Sequence, residues 1–372
     1  MIMCPPPSRQ IGGEAAGAGS NRQKGTSTII GLVAPVARCV FVGEIIDMFG
    51  FLKNHPYAIG VDIGDDILKL VQLANNGKGI SLVAGTSENR PQDIKPATAG
   101  WQRWAIETIR QLTANGHFRG REVIAAIPAS EMFIDHIKMP KINDGKLEDA
   151  IFSRIKQKLP FEPVKENTMI KCIPTEEDNV LVVATERRII DRHLAIYEQA
   201  NLQIKSIGVW PIAMANCYAT FFGRRQSDIK TVVMLLDIEP NCANVVISRH
   251  RNLLFARSIS IGAKHLDDEK MVTRLMLELT ACRRQFSSMI PSAQIERLIF
   301  LSGRAVDRDV CASIAKQLEM PAQVGDCLTA VEMNGLYCSA RDGEHEGKHL
   351  GTPMDRRDCR INWATVFGLS LS

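Results

Sequence analysis

Short apolar runs punctuated by Asp, Gly and Pro alternate along this chain with segments of helical period. In AIGVDIGDDILKLVQL, residues 58–73, one apolar run closes at Asp62-Ile63-Gly64 and a second begins at Ile67. That pattern predicts two strands joined by a tight, glycine-containing turn. A helix is predicted over Trp101 to Ala114, then strands in REVIAAIP and MFIDHIKMP, bounded by Pro128 and Pro140. Leu147, Ala150, Ile151, Ile155 and Leu159 recur at helical spacing behind a candidate cap at Asn143 or Asp144, and Pro160 ends that helix. TMIKCIP and NVLVVAT read as strands, RRIIDRHLAIYEQA as an amphipathic helix, and IKSIGVW as a strand running into the helix PIAMANCYATFF. Residues 121–207 are thus expected to form an α+β insert.

At Thr231 the opening pattern returns: TVVMLLDIEPNCANVVIS is again a strand ending in Asp-Ile, a turn and a second strand. Gly60-Val61-Asp62-Ile63-Gly64 is echoed by Leu235-Leu236-Asp237-Ile238-Glu239, which predicts two related lobes. Downstream, Asp267 to Met289 reads as a long helix, ERLIFLSGRA as a buried strand ending at Ser302-Gly303, and INWATVFGLSL as a final short helix. The intervening residues 339–360 are strongly polar and are expected to form a mobile loop. The expected division is 48–120 for the first part of the first lobe, 121–207 for the insert, 208–230 for the return to the first lobe and 231–372 for the second lobe.

With 372 residues the chain exceeds one small core, and 45% hydrophobic with 23% charged residues excludes wholesale disorder and a polytopic membrane protein. A formal net charge of +4 with no basic cluster gives no footing for nucleic acid. The ten cysteines form no CxxC pair and complete no zinc site with histidine, so reduced thiols and a cytoplasmic location are expected. Residues 1–47 stand apart, with three consecutive prolines and a Gly/Ala/Ser-rich run that cannot offset chain entropy by burial, and are expected to be a disordered extension. Met48 reads like a natural start. The apolar segment from Thr28 to Ile46 is interrupted by Arg38 and Glu44 and falls short of the ~20 residues a membrane span needs. Lys24-Gly25-Thr26 has the wrong order for a phosphate loop.

His345-Glu346-Gly347-Lys348-His349 matches the HExxH spacing of zinc hydrolases, but it lies in a polar, glycine-rich stretch without the apolar helix that would hold two histidines on one face. No Ser-His-Asp or Cys-His arrangement stands out, and Trp101 and Trp104 read as core or interface anchors.

Two hairpins with an Asp ending each first strand, plus a strand ending in Ser-Gly, resemble the parts of the actin, sugar-kinase and heat-shock ATPase fold. In that fold the hairpin turns offer backbone N–H groups to nucleotide phosphates from opposite sides, and the two aspartates hold hydrated Mg²⁺. More specifically, the lead-in MFGFLKN, VDIGDDILKLVQL, VIAAIPASEMFIDHIKMPK, KLPFEPVKEN, VLVVAT, VWPIAMANCY, LLDIEPNCANVVI and the end VFGLSLS resemble, in order over residues 48 to 372, the PilM family. These are actin-like proteins of type IV pilus assembly related to FtsA. The resemblance implies a two-lobed actin-like ATPase fold with an α+β, SHS2-like subdomain inserted in the first lobe.

It also implies a nucleotide site at Asp62, Gly64, Asp65, Asp66, Lys69, Asp237, Glu239, Gly303 and Arg304, with Asp62 and Asp237 holding Mg²⁺ through water if ATP binds. Asp62, Gly64, Lys69, Asp237 and Gly303 match the family pattern. Asp65 and Asp66 stand where it usually has a hydroxyl, and Glu239 and Arg304 where it has glycine. Like charges within ~4 Å cost on the order of a few kcal/mol each at an effective dielectric near 20, so nucleotide binding is expected to be weakened or lost, turnover negligible and the fold a scaffold. The partner implied is the cytoplasmic tail of a PilN-like inner-membrane protein, held in a groove between insert and first lobe, with other pilus platform and motor components beyond it. Indirect membrane contact at the inner face of the inner membrane follows, and homo-oligomers are compatible with it. The rivals are an active ATPase or kinase of this fold, an FtsA-like division filament and a secretion-platform component.

Overall fold

The computed structural model describes residues 55–77, 79–139, 147–303, 305–333, 352–354 and 361–372. The expected N-terminal extension, Arg304, the HExxH-type run and most of the polar stretch 339–360 lie outside them.

The first hairpin forms where the apolar alternation predicts it. Strands β1 (His55–Pro56), β2 (Ile59–Ile63), β3 (Ile67–Asn75) and β4 (Ile80–Asn89) precede helix α1 (Ala99–Asn115). Thr98 caps α1, accepting the Trp101 N–H through Oγ1, and Trp101, Ala105, Ile109 and Leu112 turn one stripe of the helix into the core. Trp101 is buried and Trp104 packs beside it, as core anchors should. Then follow β5 (Glu122–Ala126), β6 (Phe133–Lys138), α2 (Leu147–Ile155), β7 (Thr168–Pro174), β8 (Asn179–Glu186), α3 (Arg187–Gln199), β9 (Gln203–Gly208) and α4 (Trp210–Phe221).

The second half runs β10 (Val232–Ile238), β11 (Ala243–Arg249), β12 (Asn252–Ile259), α5 (Glu269–Met289), β13 (Arg297–Phe300), α6 (Arg308–Gln317), β14 (Ala322–Val324), α7 (Cys327–Ala330), β15 (Glu332–Met333), β16 (Thr352–Pro353) and α8 (Ala364–Ser370). Among the described residues the first sheet has the order β15-β4-β3-β2-β5-β9, with β1 on β3 and β16 on β4. The second has the order β12-β11-β10-β13-β14. Strands β4-β3-β2-β5-β9 of the first sheet match β12-β11-β10-β13-β14 of the second one for one. In each, two antiparallel partners flank one side of the central strand and two parallel partners the other. The sequence echo at Asp62 and Asp237 is therefore part of a five-strand topology that both sheets share.

The insert is narrower than 121–207. Strand β5 pairs with β2, and β9 with β5, so both belong to the first lobe's sheet. The separate antiparallel sheet is β6-β8-β7, backed by α2 through Ile151, Ile155, Val180, Val182 and Ala184. Its opposite face, through Leu181 and Val183, joins a core that also holds Val71 of the first lobe and Val246 and Leu253 of the second.

The end of the chain likewise leaves the second lobe, against the expected 231–372. Helix α8 is buried at every position from Ala364 to Ser370 and packs on β2, β3 and α4. Ser370 Oγ donates to the Ala58 carbonyl at 2.8 Å and accepts the Leu73 N–H at 3.2 Å. A Cβ on Gly60 would stand 2.4 Å from the Val366 carbonyl oxygen, and one on Gly368 1.8 Å from that of Ala213, so backbone meets backbone on both sides of α8.

Candidate functional site

Strand pairing builds the site. The β2–β3 hairpin places Lys69 directly opposite Asp62, on the same face of the sheet, and its Nζ lies 3.0 Å from Asp62 Oδ2. The same ammonium crosses to the other lobe and donates to Glu239 Oε1, just past the end of β10, at 3.0 Å. Its third partner is the Asn362 main-chain oxygen, also at 3.0 Å, two residues before α8. Lys69 is 1% exposed, a burial that its three oxygen partners make tolerable.

Asn362 was not singled out by sequence reasoning, although it joins both lobes. Its Nδ2 donates to Asp237 Oδ1 and its Oδ1 accepts the Ala364 N–H at the start of α8. Asp237 is fully buried. Burial first, and then the Glu239 charge, push its carboxyl well above the usual range. For Lys69, burial works against the charge, but Glu239, Asp62 and Asp237 together outweigh it and raise the pKa. Lys69 thus stands between carboxylates of the two lobes, Asp62 from the first and Glu239 from the second.

A second set of contacts closes the mouth of the cleft. Asp66, in the first hairpin turn, accepts from Lys264 Nζ at 2.6 Å and Asn241 Nδ2 at 2.7 Å, both in the second lobe, and from Arg90 at 3.1 Å. Burial opposes its charge, but the Lys264 hydrogen bond and the surrounding cations hold its pKa below the usual value. Asp65 turns the other way and accepts from Ser130 Oγ at 3.0 Å, at the entrance to the insert, where burial raises its pKa. Gly64 closes the turn through its N–H to the Ile67 carbonyl at 2.9 Å. Ser302 Oγ accepts the Ile238 N–H at 2.7 Å, and Gly303 beyond it adopts φ +59°, a left-handed turn that favours glycine.

Of the residues expected at the site, the structure gathers Asp62, Lys69, Asp237 and Glu239 into one cluster, with Asp66 at its rim. Asp65 is directed elsewhere, and Arg304 lies outside the described residues. Between the hairpins is a cavity of about 330 Å³ lined by Asp66, Lys69, Asn89, Glu239, Ala305 and Asn362, among others.

The hydrogen-bonding capacity of Lys69 is already taken up within the protein. An ammonium has three protons, and all three of Lys69 have acceptors, so a phosphate approaching it must displace one. A hydrated cation between Asp62 and Asp237 would compete with the ammonium already there. No group of three or more His, Cys, Asp or Glu side chains is arranged for a metal ion among the described residues. Nor is any helix among them long and apolar enough to cross a membrane.

The family model described as type IV pilus assembly protein PilM matches residues 60–282. A solved structure, the PilM-PilN type IV pilus biogenesis complex, superposes with a TM-score of 0.67 at 18% identity, over 85% of this chain and 98% of that one. More distant are the cytoplasmic domain of EpsL, an inner membrane component of the type II secretion system of Vibrio cholerae (TM-score 0.44, 11% identity, 66% and 82% covered), and the ethanolamine utilization protein EutJ from Carboxydothermus hydrogenoformans (TM-score 0.44, 13%, 86% and 91%). No curated protein matches. The 0.67 superposition shows the fold: two actin-like lobes with an inserted α+β subdomain.

Proposed function

The chain belongs to the family of type IV pilus assembly protein PilM, and from that premise we propose that it is an actin-like scaffold of a pilus machine, recruiting the cytoplasmic tail of a PilN-like inner-membrane protein. It works at the inner face of the inner membrane, with membrane contact made through that partner, and connects it to the platform and motor. The observation that carries this reading is the family match, which runs from the first hairpin through the insert and into α5. The structural neighbour of the same name, recorded as a complex with PilN, supports the choice of partner.

The tail binds as an extended peptide along the seam between the insert and the first lobe, held by backbone hydrogen bonds with apolar side chains in pockets. Two sets of contacts support a fixed seam: Ser130 to Asp65 across it, and Glu131 to Arg192 and His193 beside it, His193 Nε2 lying 3.2 Å from the carboxylate. A seam already fixed by such contacts lowers the ordering cost of binding a flexible tail.

Nucleotide binding is weakened or lost in this reading, and ATP and Mg²⁺ are dispensable to the scaffold. The saturated Lys69 ammonium and the carboxylates around it support that clause. The test is a fluorescence anisotropy titration of the full chain against a labelled peptide of the PilN-like tail. Saturable binding with a Kd on the order of micromolar is expected, and no binding up to about 1 mM overturns the partner assignment.

A further inference from the structure

The two hairpins are equivalent strand for strand, yet they differ at one place that matters to the cleft. Asp62-Ile63-Gly64 on the first corresponds to Asp237-Ile238-Glu239 on the second, so a glycine on one side faces a carboxylate on the other. Glu239 is held firmly. Its N–H donates to the Cys242 carbonyl at 2.9 Å and its carbonyl accepts the Ala263 N–H at 2.9 Å, which fixes the backbone from which the side chain reaches across. The carboxylate ends on Lys69 and lines the cavity between the lobes, with the Glu239 side chain 18% exposed against 2% for Lys69.

Of the three acceptors on the ammonium, only Glu239 combines a carboxylate, an origin in the facing lobe and access to the cavity. Asp62 is the cross-strand neighbour of Lys69, and Asn362 offers a main-chain carbonyl fixed by α8. An incoming oxyanion in the cavity would meet Lys69 from the side that Glu239 covers.

We propose that Glu239 is a resident stand-in for a phosphate group: its carboxylate takes the place on Lys69 that a polyphosphate ligand in the adjacent cavity would need, and it holds the lobes together without one. Removing that carboxylate frees one Lys69 N–H, subtracts one negative charge beside Asp62 and adds space to the cavity, converting the cleft into a phosphate-accepting site. The inference rests on the nucleotide clause of the proposed function and explains it through one side chain.

The experiment is calorimetric titration of the full chain, wild type and Glu239→Ala, with Mg-ATP and separately with inorganic triphosphate. Glu239→Ala is expected to bind both at least tenfold more tightly than wild type, about 1.4 kcal/mol, because the gain comes from the phosphate contact that they share. Glu239→Gln, which keeps the shape and loses the charge, is expected to gain less. A folded Glu239→Ala, verified by its circular dichroism melt, whose affinity for both stays within about twofold of wild type refutes the inference, as does a gain confined to Mg-ATP. If Glu239→Ala does not fold, Glu239→Gln carries the comparison, and absence of any gain there refutes it. Micromolar binding of Mg-ATP by the wild type refutes the nucleotide clause itself, whereas silence from both wild type and variants refutes only the role given to Glu239.

Discussion

Replacing Lys69 by methionine removes the cation that joins Asp62 and Glu239 while keeping most of the side-chain volume. The ammonium is 2% exposed and has three oxygen partners at 3.0 Å, two of them carboxylates. Methionine leaves Asp62 and Glu239 facing the buried Asp237 with no positive charge between them. Breaking a buried ion pair by removing one partner costs about 3–5 kcal/mol, a large share of the ~5–15 kcal/mol that holds a typical domain together.

The loss has a signature in pH. Without Lys69, protonation relieves the repulsion among the stranded carboxylates, so the folded variant takes up protons as pH falls and part of the deficit is recovered. Urea unfolding followed by circular dichroism should show the full deficit at about pH 8 and a smaller one at about pH 5. Adding Asp62→Asn and Glu239→Gln to Lys69→Met, which neutralises the stranded carboxylates, should restore more than half of it. A deficit under about 1 kcal/mol, the range of an exposed pair, or one identical at both pH values would refute the reasoning.

Two further perturbations test the frame around the site. Gly368→Ala drives a Cβ to 1.8 Å from the Ala213 carbonyl oxygen, where two helix backbones meet and neither has a flexible side chain to move aside. It should cost about 3 kcal/mol or more, lowering the melting temperature by roughly 6 °C or more; an unchanged melting point contradicts the packing of α8 on α4. His136 joins the insert to the second lobe by accepting the Ala256 N–H at 3.2 Å while stacked on Phe255 at 4.4 Å. Burial chiefly lowers its pKa from 6.5 to about 4, so the folded state binds fewer protons than the unfolded one between those values, and stability is lost as pH falls through that window. The loss totals about 3 kcal/mol, and His136→Gln should flatten that part of the stability–pH curve; a variant with the same slope as wild type would contradict the assignment.

The hairpins were legible in the sequence because apolar alternation on both sides of Asp62 and Asp237 leaves little choice of register, and α1, α5 and α8 were legible from their period or terminal position. Sheet membership was not. Strands β5 and β9 look locally like β6 and β7, and only parallel pairing with β2 across long separations puts them in the first lobe. Strand β4 lies within the first sheet with buried Ser81, Thr86 and Ser87 among its apolar residues, so its sequence carries no clear two-residue period.

At the site, the register of a tight turn around Gly64 already sets Lys69 opposite Asp62, so its place beside that aspartate was legible. Asp65 and Asp66 were read alike, but adjacent turn residues point in different directions and only Asp66 meets the second lobe. Asn362 had no local signal at all: it lies 293 residues from Lys69 in sequence, and the folding of α8 back into the first lobe creates its role.

The central claim, a pilus scaffold that engages its membrane partner without nucleotide, is tested most directly by titrating the PilN-like tail peptide into the full chain with and without saturating Mg-ATP. The account predicts saturable binding with the same Kd in both titrations. Binding that appears only with Mg-ATP, or in neither titration, would contradict it.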